Sequence, residues 1–289
     1  MKSEILKYCC LPGIILIAFT GMLMAQDETG FRASASVDYF NRFVWRGQNQ
    51  NNDSVIQGNV EGKTGGFTGG IWFNVPVTDT YGTKTAGAID EVDFSIDFSR
   101  NISDWNVGYS LGAIHYMFTK NSPADLRPTT EIYGGLNFNI PLSPSVKWYR
   151  DVDEIHGSYI QFGVGHTFER IGNWSDNEYV SLDLKAAFGL GGPGYNAGYF
   201  GNYGEDPADP TKTKLLNPDI EELKFNDFTL NVAVPFNLKH GISIAPSFNV
   251  STMLSESIRD YCKKNDDKNG THTQSSTNIW FGINFTKSF

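Results

Sequence analysis

NIWFGINFTKSF, residues 278–289, decides the fold. Ile279, Phe281, Ile283 and Phe285 alternate there with Asn278, Trp280, Gly282, Asn284 and Thr286. A side-chain period of two is a strand with one dry face and one wet face. The pattern recurs upstream. Phe228, Leu230, Val232 and Val234 alternate with Thr229, Asn231 and Ala233. Ile160, Phe162 and Val164 alternate with Gln161, Gly163 and Gly165, and Val92, Phe94, Ile96 and Phe98 with Glu91, Asp93, Ser95 and Asp97.

A soluble β-sandwich also alternates. Two features favour a transmembrane antiparallel up-and-down β-barrel. The runs are long against the globular mode of about 5–6 residues. The polar face is small and wet, the apolar face bulky and aromatic, along nearly every strand. Composition agrees. Charged residues are 19% and aromatics 14%, with 30 glycines, a mix unlike a disordered chain. A net charge of −9 argues against tracking nucleic-acid phosphates. The mean hydropathy of −0.31 and a lone apolar run near the N-terminus exclude a multi-span helical membrane protein.

That run, Leu11 to Met24, follows Lys2 and Lys7 and precedes Ala25-Gln26-Asp27. It reads as a signal peptide over 1–25, with the barrel filling 26–289. Cys9 and Cys10 leave with it, so Cys262 stands alone as an incidental loop residue, with no internal disulfide or Cys-based metal site.

Strands are expected near 32–46, 53–63, 66–76, 89–100, 105–119, 129–140, 145–152, 157–171, 178–190, 223–238, 241–254 and 275–289. Short and long links alternate between them, as periplasmic turns and outer loops do. Twelve is even, as expected when both termini are periplasmic. The long links are 77–88, 120–128, 191–222 and 255–274, and 191–222 has room for further structure.

The C-terminal strand resembles the assembly signal of Gram-negative outer-membrane proteins: Phe289, Phe285, Ile283 and Phe281 match it, while Lys287 departs from its apolar pattern. This resemblance implies outer-membrane lipids and the barrel assembly machinery, reached through the Phe289 strand, as partners. A second resemblance lies earlier. Val37-Asp38-Tyr39-Phe40 and Phe43-Val44-Trp45-Arg46-Gly47-Gln48 are similar to the opening of the TorF-like outer-membrane porins, also called the Gcw conserved-hypothetical family. Gly66-Phe67-Thr68-Gly69-Gly70-Ile71-Trp72, Glu91-Val92-Asp93-Phe94 and Glu131-Ile132-Tyr133-Gly134-Gly135-Leu136 match later parts of that pattern. The likeness is sharpest over 37–75. It implies a porin-type barrel with no known substrate and no established functional residues; passive diffusion is expected to need no cofactor.

Strand parity turns Asp38, Arg42, Arg46, Glu61, Glu91, Asp93, Asp97, Glu131, Asp183 and Lys185 toward the lumen. Asp93 and Asp97 form an acidic stripe, with Arg42 and Arg46 two strands away. Such charges either set transverse fields that select small polar or cationic solutes or pair into a network that plugs a narrow barrel. Arg46-Gly47 reads as the turn closing the first outer loop, or as a cationic rim. Trp45, Trp105, Trp148, Tyr149, Trp174, Tyr179 and Trp280 suit interfacial girdles.

His156 and Ser158 resemble the His-x-Ser of the outer-membrane phospholipase A family, in which His is the base and Ser the nucleophile. Tyr159 stands where that family has Asn. The five histidines are scattered without metal-ligand spacing. Asp260, Asp266 and Asp267 mix with lysines in a solvated loop. Gly191-Gly192-Pro193-Gly194 lacks the Lys of a phosphate loop and any following helix.

The sequence thus predicts an outer-membrane porin or channel for passive diffusion of small hydrophilic solutes. The alternatives are a closed structural or surface-recognition barrel and, third, a phospholipase.

Overall fold

Alternation of apolar and polar residues becomes twelve strands in a computed structural model, which describes residues 30–79, 85–122, 126–206, 209–264 and 275–289. The barrel strands are β1 (Arg32–Phe40), β2 (Val55–Thr64), β3 (Phe67–Pro76), β4 (Glu91–Ile102), β5 (Val107–Phe118) and β6 (Thr129–Phe138), then β7 (Ser145–Asp151), β8 (Ser158–Ser175), β9 (Glu178–Gly191), β10 (Lys224–Ala233 with Phe236–Leu238), β11 (Ile242–Met253) and β12 (Thr277–Ser288). Each pairs antiparallel with its sequence neighbours. β1 pairs with β12, Val37 opposite Phe285 and Tyr39 opposite Ile283, so the sheet closes and leaves no edge. The predicted signal peptide lies outside the described residues.

Several boundaries move. β10 breaks at Val234-Pro235, because proline offers no N–H to the ladder. Both pieces still pair with β9 and β11, so it remains one stave. β8 runs past the expected 171 to Ser175, with a register shift between Phe168 and Gly172 where Arg170 takes φ 55°.

The largest change is in the first strand. The expected 32–46 stops at Phe40, and the chain makes a hairpin of its own, Phe43–Trp45 against Gln48–Asn51. Arg46 (φ 46°) and Gly47 (φ 76°) are its two turn residues. Positive φ at both central positions is the type I′ pattern that suits strand twist.

Apolar side chains point out. Leu111 is 60% exposed, Ile96 57% and Phe281 55%. A soluble sandwich would bury them; a barrel whose wall meets hydrocarbon requires them. Trp105 and Trp174 also stand exposed near strand ends, where an outer-membrane barrel carries its girdle. The protein is therefore an outer-membrane barrel embedded in lipid. The termini of β1 and β12 share one rim with the short turns, such as Gly65-Gly66. The longer links leave the opposite rim, taken as the outer one.

The packed core sits in those outer links, not at the barrel centre. Helix α1 (Pro193–Phe200) follows β9, then a small hairpin, Tyr203–Asp206 with Asp209–Leu215; helix α2 (Glu256–Lys264) follows β11. Tyr195, Phe200, Ile220, Met253, Ile258 and Cys262 pack there with Tyr159. Two expectations are corrected. A helix does follow Gly192, starting with Pro193 at its first position, where the missing N–H costs nothing. Cys262 is not an incidental loop residue but a buried member of this cluster. Residues 265–274, including Asp266 and Asp267, lie outside the described residues.

Candidate functional site

The hairpin after β1 turns into the bore. Gly47 reaches across it: a Cβ built there would stand 2.6 Å from the Asp227 Cβ on β10. Asn278 of β12 donates its Nδ2 to the Gly47 carbonyl at 3.0 Å. Positive φ and lack of space both require glycine.

Its neighbour Arg46 is the hub. The guanidinium donates twice to Glu131 on β6, Nη1 to Oε1 at 2.8 Å and Nη2 to Oε2 at 2.7 Å. Their side chains are 7% and 3% exposed. Three rings surround the cation, with centroids 4.4 Å (Trp45), 4.5 Å (Tyr149) and 4.4 Å (Tyr159) away. The Tyr116 hydroxyl donates to Glu131 Oε2 at 2.9 Å, and the Tyr159 hydroxyl to Asp227 at 2.9 Å. From the rim, α1 adds Tyr195 and Tyr199, which stack 4.6 Å apart; Tyr199 meets Trp45 at 5.5 Å. Burial holds both α1 phenols above their ordinary range, so they stay neutral and leave Glu131 as the counter-ion of Arg46. A planar fork fits a carboxylate and stacks on rings at once, which lysine could not do.

Two asparagines tie α1 down. Asn196 donates Nδ2 to the carbonyls of Gly191 (2.9 Å) and Glu222 (2.7 Å), while Asn226 donates to Asn196 Oδ1 at 2.8 Å. The outer half of the lumen is thus filled by two inserted links, each fastened to the wall.

Below this plug the lumen holds a second polar layer. The Tyr133 hydroxyl donates to Asp97 Oδ2 at 2.8 Å, and the Lys147 ammonium lies 3.8 Å from the Tyr133 centroid. Farther toward the short turns the bore is hollow. A space of about 670 Å³ is bordered by Ser145, Gly163, Gly165, Thr167, Lys185, Thr229 and Asn231.

The residues expected in the lumen are distributed through these layers. Arg46 and Glu131 form the plug. Arg42, also on the inserted segment and not on β1, donates Nη1 to Asn278 at 3.1 Å. Asp38 accepts from Asn284. Asp93 is largely buried, with one carboxylate oxygen lacking a hydrogen-bond partner among the described residues. Asp97 joins Tyr133, and Asp183 accepts from Thr167 at 2.8 Å. Lys185 borders the hollow, Glu91 lines a separate outer cavity, and Glu61 is exposed. The expected opposition of Arg46 to the Asp93–Asp97 stripe gives way to Arg46–Glu131, because the hairpin carries the guanidinium off the strand ladder.

Sequence reasoning missed Tyr116, Tyr159, Tyr195 and Lys147. It placed Trp45, Tyr149 and Trp280 in girdles, whereas Trp45 and Tyr149 stack on Arg46 and Trp280 is 8% exposed on the inner face of β12. Parity already set Trp280 beside Asn278 and Gly282, so the signal was present.

His156 and Ser158 do not hydrogen-bond to each other. The Ser158 hydroxyl accepts from Arg150 Nη1 at 3.4 Å, while His156 occupies the turn with φ 51°. Among the described residues no His, Cys, Asp and Glu group could hold a metal ion.

No family model and no curated protein matches the sequence. Among solved structures the chain is similar to the KdgM porin in complex with disordered oligogalacturonate, at 8% identity and TM-score 0.46, covering 89% of this chain and 99% of that one. It is similar to LpxR from Salmonella typhimurium at 8% and 0.45, covering 88% and 99%. It is also similar to the COG4313 outer membrane channel from Pseudomonas putida F1 at 9% and 0.42, covering 89% and 95%. At such values the likeness is one of barrel architecture.

Proposed function

We propose that this chain is a porin-like channel of the outer membrane that passes small hydrophilic solutes by passive diffusion. The observation that carries this reading is the hollow inner lumen, walled by Gly163, Gly165, Ser145 and Thr229. Small side chains on this stretch of neighbouring strands keep space open that large ones would fill. This is the role implied by the resemblance to the TorF-like porins. Asp93, Asp97, Asp183 and Lys185 act as the field-setting residues of the passage, and the Phe289 strand is the segment presented to the barrel assembly machinery.

One observation favours a second reading, a closed barrel that works through its outer links: the buried Arg46–Glu131 plug. Single-channel recording on refolded residues 26–289 in a planar bilayer separates the two. Discrete, reproducible steps support the channel. Silence from protein shown to be folded overturns it in favour of the closed barrel.

A further inference from the structure

Beside the plug, on its outer side, lies a partly open cavity of about 240 Å³ that shares Trp45 and Tyr116 with the plug but is not lined by Arg46. Its walls are aromatic: Trp45, Tyr116, Tyr199 and Phe43. Trp45 meets Tyr116 edge-on at 6.3 Å and Tyr199 at 5.5 Å, so rings from the hairpin, β5 and α1 converge from three directions. Its described charges are the carboxylates of Asp90, Glu91 and Glu154 against the single guanidinium of Arg127. Arg127 stands at the rim, 76% exposed and 3.9 Å from Glu154.

Three of the lining hydroxyls are turned away from the space. The hydroxyls of Tyr116, Thr129 and Ser122 already donate, to Glu131, to Asp151 and to the Asp90 carbonyl. A cation with an apolar body is well served, since ring faces attract positive charge and carboxylates complete the site. The volume, below the usual range of ligand pockets, limits it to a few heavy atoms.

The geometry points to a binding site for a small organic ammonium ion in this cavity, held by the Trp45, Tyr116 and Tyr199 rings with Glu91 as counter-charge. The site goes beyond the channel reading and does not depend on conduction.

The test is isothermal titration of the refolded, detergent-solubilised protein with choline, and with its neutral isostere dimethylbutanol. Choline should bind, and the neutral isostere should bind about tenfold more weakly or worse. Glu91→Gln and, separately, Tyr199→Leu should each weaken choline by a comparable factor while the barrel keeps its heat-modifiable migration in gels. The proposal is overturned if choline gives no heat of binding, if the isostere binds as well, or if both variants bind choline like the unaltered chain. Because the readout is equilibrium binding, a silent barrel that takes up choline leaves the site standing. A conducting barrel that ignores choline removes the site and leaves the channel.

Discussion

The two halves of the lumen are built to opposite rules. In the outer half Arg46, Glu131, Tyr159 and Tyr195 are buried, and large side chains meet ring on ring. In the inner half the wall carries Gly163, Gly165 and Ala187, and Lys185 is exposed to an empty bore. The same twelve strands run through both. The difference lies in what the outer links insert and in the large strand side chains that receive it. A wall of this size leaves a hollow unless something fills it; here the hairpin and α1 bring Trp45, Arg46 and Tyr195, and the strands meet them with Tyr116, Glu131, Tyr149 and Tyr159.

The strongest way to break this contrast is Arg46→Ala. It removes the hub and leaves the Glu131 carboxylate buried with Tyr116 as its one remaining partner among the described residues, a loss of about 3–5 kcal/mol. The unfolding midpoint in urea, followed in lipid vesicles, should fall accordingly, and single-channel conductance should rise several-fold as the halves become alike. Unchanged conductance would mean that the plug is a strut beside the path. Combining Arg46→Ala with Glu131→Gln should cost less than the sum of the two changes, since they share one interaction.

A smaller effect is expected from filling the inner half. Ala187 pairs with Gly163 and Thr229 across the ladder, on the parity that faces the hollow. Ala187→Trp should lower conductance most visibly in the Arg46→Ala background, where the plug no longer limits flow. If conductance does not fall, the hollow is not part of the path. Weaker again are the charge changes. Asp93→Asn and Asp97→Asn should shift reversal potentials in a salt gradient away from cations, and Asp97→Asn the more, because it leaves the nearby Lys147 uncompensated. Equal selectivity before and after would assign these carboxylates to packing.

How far each half can be read from sequence follows the same division. The wall is written in a period of two, and a period needs no long-range information. Strands near 66–76, 129–140 and 145–152 accordingly fall close to Phe67–Pro76, Thr129–Phe138 and Ser145–Asp151. Parity likewise places Asp97, Glu131 and Asp183 on the inner face. The plug is different. Phe43–Trp45 continues the apolar run of β1, so alternation extends the strand through a hairpin that only the Arg46-Gly47 turn betrays. That Arg46 meets Glu131, 85 positions away, depends on where the hairpin docks. Rings such as Trp45 and Tyr149 suit a girdle as well as a cation cage until that docking is known. The opening of α1 was local, Gly192 before Pro193, and could have been read.

The smallest change, and the one that tests the wall against the rim, is Ser158→Ala. Nucleophilic catalysis needs a base within hydrogen-bond reach of the hydroxyl and a third group holding the base. Here the Ser158 Oγ is engaged by Arg150 at 3.4 Å, a long bond whose loss costs about 1 kcal/mol or less. His156 is held through its backbone N–H, at 3.4 Å from Asp151, in a turn that leaves Ser158 alone. Ser158→Ala should therefore leave conductance and any phospholipid hydrolysis by the purified barrel unchanged and lower vesicle stability by about 1 kcal/mol or less. Loss of a measurable hydrolytic activity in this variant alone would move the chemistry to the lipid-facing rim and make the contrast between lumen halves a matter of support.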